Sequence, residues 1–279
     1  MDLYQRTLKD FFSMSGIGLH SGKKVTIKAY PAPVDHGIVF KRVDLKESVS
    51  IPAKIKHVQI SELSTTLVKG SARVSTIEHL MAALYAHGIN NILITLNAGE
   101  VPILDGSAKA YVEAISSVGT REQEKLQKVF APQKEISLSH EGREIKFEPH
   151  NEKTLIIDYT TDYPDNPVIA KQQFIMNVSE QSFKEICSAR TFCLLKDVKY
   201  MQERGLALGG SLENAIVVDD HKIMNEGGLR LEKEFVKHKI LDCIGDLSLL
   251  GQTIYGKIIV YKGGHSLHHE LTKNLSLLN

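Results

Sequence analysis

Across residues 234–247, apolar side chains fall at Phe235, Val236, Ile240, Leu241, Ile244 and Leu247, a spacing that predicts an amphipathic helix. The same window sets His238, Asp242 and Asp246 four residues apart, stacked along one face. Residues 24–30 instead alternate with period two, as a half-buried strand does. A glycine-punctuated turn at 15–22 precedes that strand; Gly16-x-Gly18 within it is weak evidence for a phosphate loop, and most such pairs are simple turns. Pro31, Pro33 and Gly37 break the chain before a short apolar run at 38–40.

Residues 75–88 predict a helix closed by glycine, 91–96 a strand, 101–107 a turn-rich connection and 108–115 a second helix. The polar stretch 119–128, rich in Glu, Gln and Lys, reads as a linker. Beyond it come strands at 135–138, 143–148 and 154–159 and a helix near 182–187. An irregular glycine-rich region, the 234–247 helix and a strand at 257–261 complete the order. Strands, helix, strand and helix thus recur in outline. The expected fold is α+β in two similar domains, residues 1–125 and 129–279, although no residue-level repeat establishes duplication.

Composition narrows the class. Hydrophobic residues make up 42% of the 279 positions, enough for a real core, and the formal charge of +1 argues against nucleic acid as a partner. Three cysteines, odd in number and without metal-finger spacing, point away from a disulfide framework and toward a reducing compartment. No apolar run approaches membrane-spanning length, and the first residues lack a signal peptide's apolar core. The expectation is a soluble cytoplasmic protein, by default a monomer, acting on a small molecule.

A catalytic zinc site takes three protein ligands and keeps one position open. The 234–247 helix offers His238 and Asp242. Among the remaining histidines His79 stands out, because Glu78 directly before it is a carboxylate able to take a proton from water at a metal. Plainer readings stay open. Ser75-x-x-Glu78 is also a capping box, His79 could be a hydrogen-bonded helix residue, and His238 with Asp242 a surface pair.

Gly263-Gly-His265 follows a strand, where a projecting histidine is feasible. If Asp246 reaches His265, it would hold one tautomer and favour the protonated ring, which could stabilise an oxyanion or protonate a leaving amine. The alternative is a turn histidine in solvent. His268 and His269 are expected to be exposed. The region 189–228 carries a short helical pattern at 194–201 and an apolar glycine-containing loop at 205–210, a type of long loop that is usually functional.

Taken together, Ser75-Thr-Ile-Glu-His79, Val101-Pro-Ile-Leu-Asp-Gly-Ser107, Ala189-Arg-Thr-Phe192, Gly209-Gly-Ser211, Asn225-Glu-Gly-Gly-Leu-Arg230, His238-Lys-Ile-Leu-Asp-Cys-Ile-Gly-Asp246 and Gly264-His265 closely resemble the UDP-3-O-acyl-N-acetylglucosamine deacetylases. These are the zinc enzymes of the committed step in lipid A synthesis. The resemblance runs from about Gly16 to His265 in the family's order. It implies a Gram-negative-type source, a duplicated fold with an insert in each domain, and an active site between the domains. The implied reaction is hydrolysis of the N-acetyl group to acetate and UDP-3-O-acyl-glucosamine.

Carried onto matching positions, the resemblance implies zinc held by His79, His238 and Asp242, with ferrous iron able to occupy the same donors. Glu78 would be the general base, and His265, oriented by Asp246, the electrostatic stabiliser and general acid. Thr191 would hydrogen-bond the oxyanion and Phe192 would pack on substrate. Lys239 would face the pocket rim. Lys262 and, as a weaker candidate, Arg143 would lie toward the nucleotide phosphates. The insert at about 193–213 would form a channel for the acyl chain. One departure is visible: Leu63-Ser-Thr-Thr-Leu67 stands where some members have a cysteine, and no step above uses a thiol there. Two rivals remain: a related zinc amidohydrolase for another N-acetylated sugar nucleotide, and a non-catalytic nucleotide-lipid binding protein with a structural metal.

Overall fold

The period-two segments pair into sheets, and the computed structural model describes residues 3–59 and 63–278 of the chain. In order come β1 (Tyr4–Leu8), β2 (Phe12–Ile17), β3 (Lys24–Pro31), β4 (Ile38–Arg42) and β5 (Val49–Pro52). β6 (Val58–Gln59), β7 (Thr66–Lys69) and β8 (Ala72–Val74) make a small sheet of their own. They precede α1 (Glu78–Ala86), β9 (Ile92–Leu96) and α2 (Lys109–Val118). After β10 (Thr120–Leu126) and β11 (Val129–Phe130) follow β12 (Ile136–His140), β13 (Arg143–Glu148), β14 (Leu155–Tyr163), β15 (Ala170–Asn177) and α3 (Glu180–Phe183). β16 (Phe192–Leu194), α4 (Leu195–Glu203) and β17 (Ile216–Val218) intervene before α5 (Glu234–Leu247), β18 (Thr253–Ile254), β19 (Gly256–Tyr261) and α6 (His265–Ser276).

Two five-stranded sheets carry the fold, ordered β2-β3-β9-β4-β5 and β12-β13-β19-β14-β15. In each, one pair is parallel, β4 with β9 and β14 with β19, and the other pairs are antiparallel. A parallel pair needs a crossover, usually a helix, and α1 and α5 fill that place in the two halves. The α+β expectation, with two similar halves, holds.

Inward positions of β3 (Val25, Ile27, Ala29), β9 (Ile92, Ile94, Leu96), β14 (Leu155, Ile157, Tyr159) and β19 (Ile258, Val260) are buried in one continuous core. α1 and α5 lie in that core, which is why α1 is buried at every position except Tyr85, as a helix covered on all sides must be. At Gly245 a Cβ would stand 2.1 Å from the carbonyl oxygen of Glu78. Glycine there lets the backbone of α5 come against the first turn of α1, and this contact positions the site.

Three expectations are corrected, and one strand is added. Residues 119–128 are not a linker: β10 pairs antiparallel with β1, Arg6 opposite Glu122 and Leu8 opposite Thr120. A two-stranded ribbon exposes most of its side chains, so its sequence looks like a polar connection. The helix near 182–187 is the single turn of α3, capped by Ser179 and Ser182 on each other. β15 escaped notice because an edge strand carries polar residues on much of its surface. Finally, the segment after Gly264 is helix α6, and His268 and His269 are buried, not exposed. Among the described residues no helix is long and apolar enough to cross a membrane, and Cys187, Cys193 and Cys243 are unpaired.

Candidate active site

Glu78 and His79 open α1 after the N-cap residue Ile77, which follows Thr76 in a left-handed conformation (φ 59°). No side chain caps this helix, so the capping-box role for Glu78 is not realised. Its carboxylate instead accepts the backbone N–H of Thr65 at 3.0 Å. Ser75 is occupied elsewhere, accepting hydrogen bonds from Thr66 and Arg73 at 3.0 Å each.

His238 and Asp242 lie one turn apart on α5. The Nδ1–H of His238 donates to the carbonyl of Ala189 at 3.0 Å, which leaves the Nε2 lone pair facing Asp242. The Oδ1 of Asp242 is 3.3 Å from that Nε2 and 3.5 Å from Nε2 of His79. Donor atoms of His79, His238 and Asp242 all fall within 4.8 Å of one another, and all three residues are buried.

Oδ1 of Asp242 is buried without a hydrogen-bond partner, which is costly for a carboxylate unless a cation completes it. Burial holds His238 down to about 3, so it is neutral and ligand-competent. Burial would raise Asp242, but His238 and Lys239 outweigh it and keep the carboxyl well below its usual range. Two imidazoles and a carboxylate fit a divalent transition metal.

The second oxygen of Asp242 accepts the Lys239 ammonium at 2.9 Å, and that ammonium also sits 5.6 Å from the centre of the Phe192 ring. Phe192 and Thr191 are delivered by an anchored motif. The Arg190 side chain and backbone N–H both reach Glu234 at the start of α5, at 2.8 and 3.0 Å. This ion pair is buried on both sides.

Across the cleft, Nε2 of His265 stands 3.8 Å from Oε1 of Glu78, while its Nδ1 lies 2.8 Å from Oδ2 of Asp246. Burial alone would lower His265, yet the Asp246 charge and hydrogen bond, with Glu78 beyond, lift it to about 9. Burial also pushes the Glu78 carboxyl upward, against the opposing charges of His265 and His79.

A cleft of about 110 Å³ is lined by Glu78, His79, Thr191, Phe192, His238, Lys239, Asp242 and His265, closed by Leu19, Leu63 and Thr76. A larger groove of about 740 Å³ opens at the opposite end of α1, around His87 and Gly88. None of the residues grouped by metal-ligating geometry lines it, so the smaller cleft is the candidate site.

Residues 5–276 match the family model described as LpxC: UDP-3-O-acyl N-acetylglycosamine deacetylase. The chain belongs to the LpxC family. Proteins named UDP-3-O-acyl-N-acetylglucosamine deacetylase from Teredinibacter turnerae, Myxococcus xanthus and Pseudomonas entomophila are each 46% identical to it. These alignments cover 97% of this chain and 89%, 86% and 89% of the three relatives.

In this LpxC chain the residues singled out from sequence divide in two. Glu78, His79, Thr191, Phe192, His238, Lys239, Asp242 and His265 meet at the cleft, and Asp246 stands behind His265. Lys262 and Arg143 do not line it. The Lys262 ammonium is 3.5 Å from Asp162, and Arg143 is exposed at the start of β13, next to Glu144, which pairs with Tyr261. Both therefore lie at the same end of the second sheet.

Sequence reasoning missed Thr65, His268 and His269. His265, His268, His269 and Thr272 follow the i, i+3, i+4, i+7 spacing of one helix face, a signal that was present. Thr65, in the small sheet's approach, carried none.

Proposed function

We propose that this LpxC-family chain hydrolyses the N-acetyl group of UDP-3-O-acyl-N-acetylglucosamine, giving acetate and UDP-3-O-acyl-glucosamine in lipid A biosynthesis. The observation that carries the proposal is the meeting of α1 and α5, which sets His79, His238 and Asp242 around one point with Glu78 and His265 beside it. Zinc is the proposed metal, with ferrous iron accommodated by the same donors. A cation held there supplies Lewis acidity to the acetamide carbonyl and makes water more acidic.

The chain's own groups supply the rest. Glu78, a buried carboxylate of raised proton affinity, accepts the proton of the attacking water. His265, protonated at neutral pH, presents its Nε2–H to the oxyanion and then gives that proton to the departing amine. Asp246 keeps the ring in position through Nδ1. Thr191 donates a hydrogen bond to the oxyanion. Phe192 packs on substrate and Lys239 borders the cleft, while Lys262 and Arg143 face the nucleotide phosphates.

The acyl chain runs against the insert formed by β16, α4 and β17, within the region expected at 193–213. Exposed Leu195, Tyr200, Leu208 and Leu212 support this, since apolar side chains gathered in one segment mark a binding surface. Domain limits at 1–125 and 129–279 are part of the same proposal, as is a cytoplasmic monomer, to be checked by sedimentation and cell fractionation. The decisive assay is acetate release from acylated and non-acylated UDP-N-acetylglucosamine. Turnover of the acylated compound alone is expected. Equal turnover would overturn the substrate assignment, and release from neither would overturn the activity.

A further inference from the structure

Helix α6 turns three imidazoles toward one carboxylate. Oδ2 of Asp246 accepts the Nδ1–H of His265 and the Nδ1–H of His268, each at 2.8 Å. Oδ1 accepts the hydroxyl proton of Thr65 and lies 3.3 Å from Nε2 of His269. The Thr65 hydroxyl in turn accepts from that Nε2 at 2.9 Å, and its backbone N–H is the donor to Glu78. One threonine thus touches both the general base and the carboxylate behind the general acid.

On its far side His268 meets Tyr159, whose hydroxyl is 3.2 Å from Nε2. Burial pushes that phenol well above 10, so it donates. His268 is therefore held neutral, with its hydrogen on Nδ1 and its lone pair on Nε2. Burial lowers its pKa in the same direction, against the Asp246 hydrogen bond. Gly263 makes room for the pair: a Cβ there would stand 2.8 Å from the Tyr159 hydroxyl and 3.3 Å from Nε2 of His268.

Thr65 on Oδ1 sets the plane of the carboxylate, while His268 shares Oδ2 with His265 and so fixes which lone-pair direction of that oxygen His265 occupies. We propose that His268, held by Tyr159 and seconded by Thr65, is a positioning residue for deacetylation that fixes Asp246 so that His265 keeps its Nε2–H directed into the cleft. The inference rests on the proposed role of His265. Removing the His268 donor leaves His265 alone on Oδ2, with freedom to shift around that oxygen, and leaves more negative charge on their bond, so His265 then holds its proton to higher pH.

The charged and titratable groups acting on this pair come from every element around it. Glu78 stands on α1, and Asp242, Lys239 and Cys243 on α5. His269 lies on α6 itself, Tyr159 on β14, and His20 beyond His265. None of them changes between wild type and a His268 variant.

The test uses metal-loaded protein with His268→Leu, His268→Asn and Tyr159→Phe. His268→Leu is expected to lower kcat roughly 10- to 100-fold, the range for supporting partners of a metal site, with KM and metal content within about twofold. Its basic pH limb should move upward by about half a unit. His268→Asn, whose amide N–H can replace Nδ1–H, should recover most of kcat. Tyr159→Phe, which only removes a hydroxyl, should show the same pattern more weakly.

Nitrogen-15 NMR of the imidazoles reads the network without turnover: His268 should stay neutral with its proton on Nδ1 through neutral pH. A His268 that titrates near the ordinary 6.5, or a kcat loss that asparagine leaves unrecovered, would overturn the proposal. Acetate release unaltered in His268→Leu sinks this inference alone. No release by wild type sinks the proposed function and the inference together.

Discussion

The two halves of the chain share one strand order and one crossover helix, yet they do different work at the site. α1 offers Glu78 and His79 from its first turn, whereas α5 offers His238, Asp242 and, a turn later, Asp246. The helix after the last sheet strand also differs: α6 opens on buried His265, while α2 opens on exposed Lys109. The inserts diverge furthest. In the first half, the small sheet of β6, β7 and β8 brings Thr65 against Glu78 and Asp246. In the second, α4 buries none of its residues and presents apolar side chains outward. A repeated frame supplies two helices that cross closely at Gly245, and the chemistry occupies whichever positions face that crossing.

The largest effects should come from dividing base from ligands. Glu78→Gln is expected to lower kcat by about 10² to 10⁴-fold, the span of a lost general base, with metal content intact. His79→Ala and His238→Ala, on opposite halves, should each lose metal as measured by elemental analysis. Full metal content in either variant would place the site within a single half.

Next in size is the crossing itself. Gly245→Ala places a Cβ against the Glu78 carbonyl, and overpacking of this kind costs about 1–3 kcal/mol. Because the displaced turn carries Glu78 and His79, turnover at a temperature well below melting should fall more than stability does. A variant with normal kcat would mean that the halves need not meet so closely.

The pH profile separates the halves again. If Glu78 on α1 is the base as proposed, the rising limb should follow its carboxyl, which burial lifts above 4.5. The falling limb is expected to follow either His265 on α6, near its value of about 9, or water at the metal. His265→Ala should abolish a basic limb that belongs to His265, and a limb left in place would assign it to the water. Stability gives an independent reading in metal-free protein. The folded-state value of His265 exceeds the ordinary 6.5, so its contribution is complete below 6.5 and lost as pH rises through about 9. Urea denaturation across that window should show the decline, and His265→Ala should flatten it.

What could be read from residues alone follows from the range of the interaction. His238 and Asp242 were legible because a helix brings i and i+4 together whatever surrounds it. Glu78 and His79 were legible as a pair, but whether Glu78 capped its helix or served a reaction depended on Thr65, thirteen residues away across a separate sheet. α6 went unrecognised because its inner face carries His265, His268, His269 and Thr272 beside Leu267, Leu271 and Leu275. A polar face sheltered by Asp246 and Tyr159 looks, without those partners, like a solvated one. β10 failed for the opposite reason, being a strand with little to bury.

The smallest effect tests the second insert, where the two halves diverge furthest. Leu195 stands at the first position of α4 and is 43% exposed, so Leu195→Asp removes little packing and places a negative charge where a helix N-terminus favours one. Folding stability should stay within about 0.5 kcal/mol of wild type. Burying a whole leucine side chain is worth about 1.5–3 kcal/mol, and a half-exposed one in contact with an acyl chain about half of that. The KM for a long-chain substrate should therefore rise about fivefold, and for a short-chain analogue hardly at all. An equal rise for both would detach α4 from the acyl chain and leave the second insert, like the first, a support for polar groups.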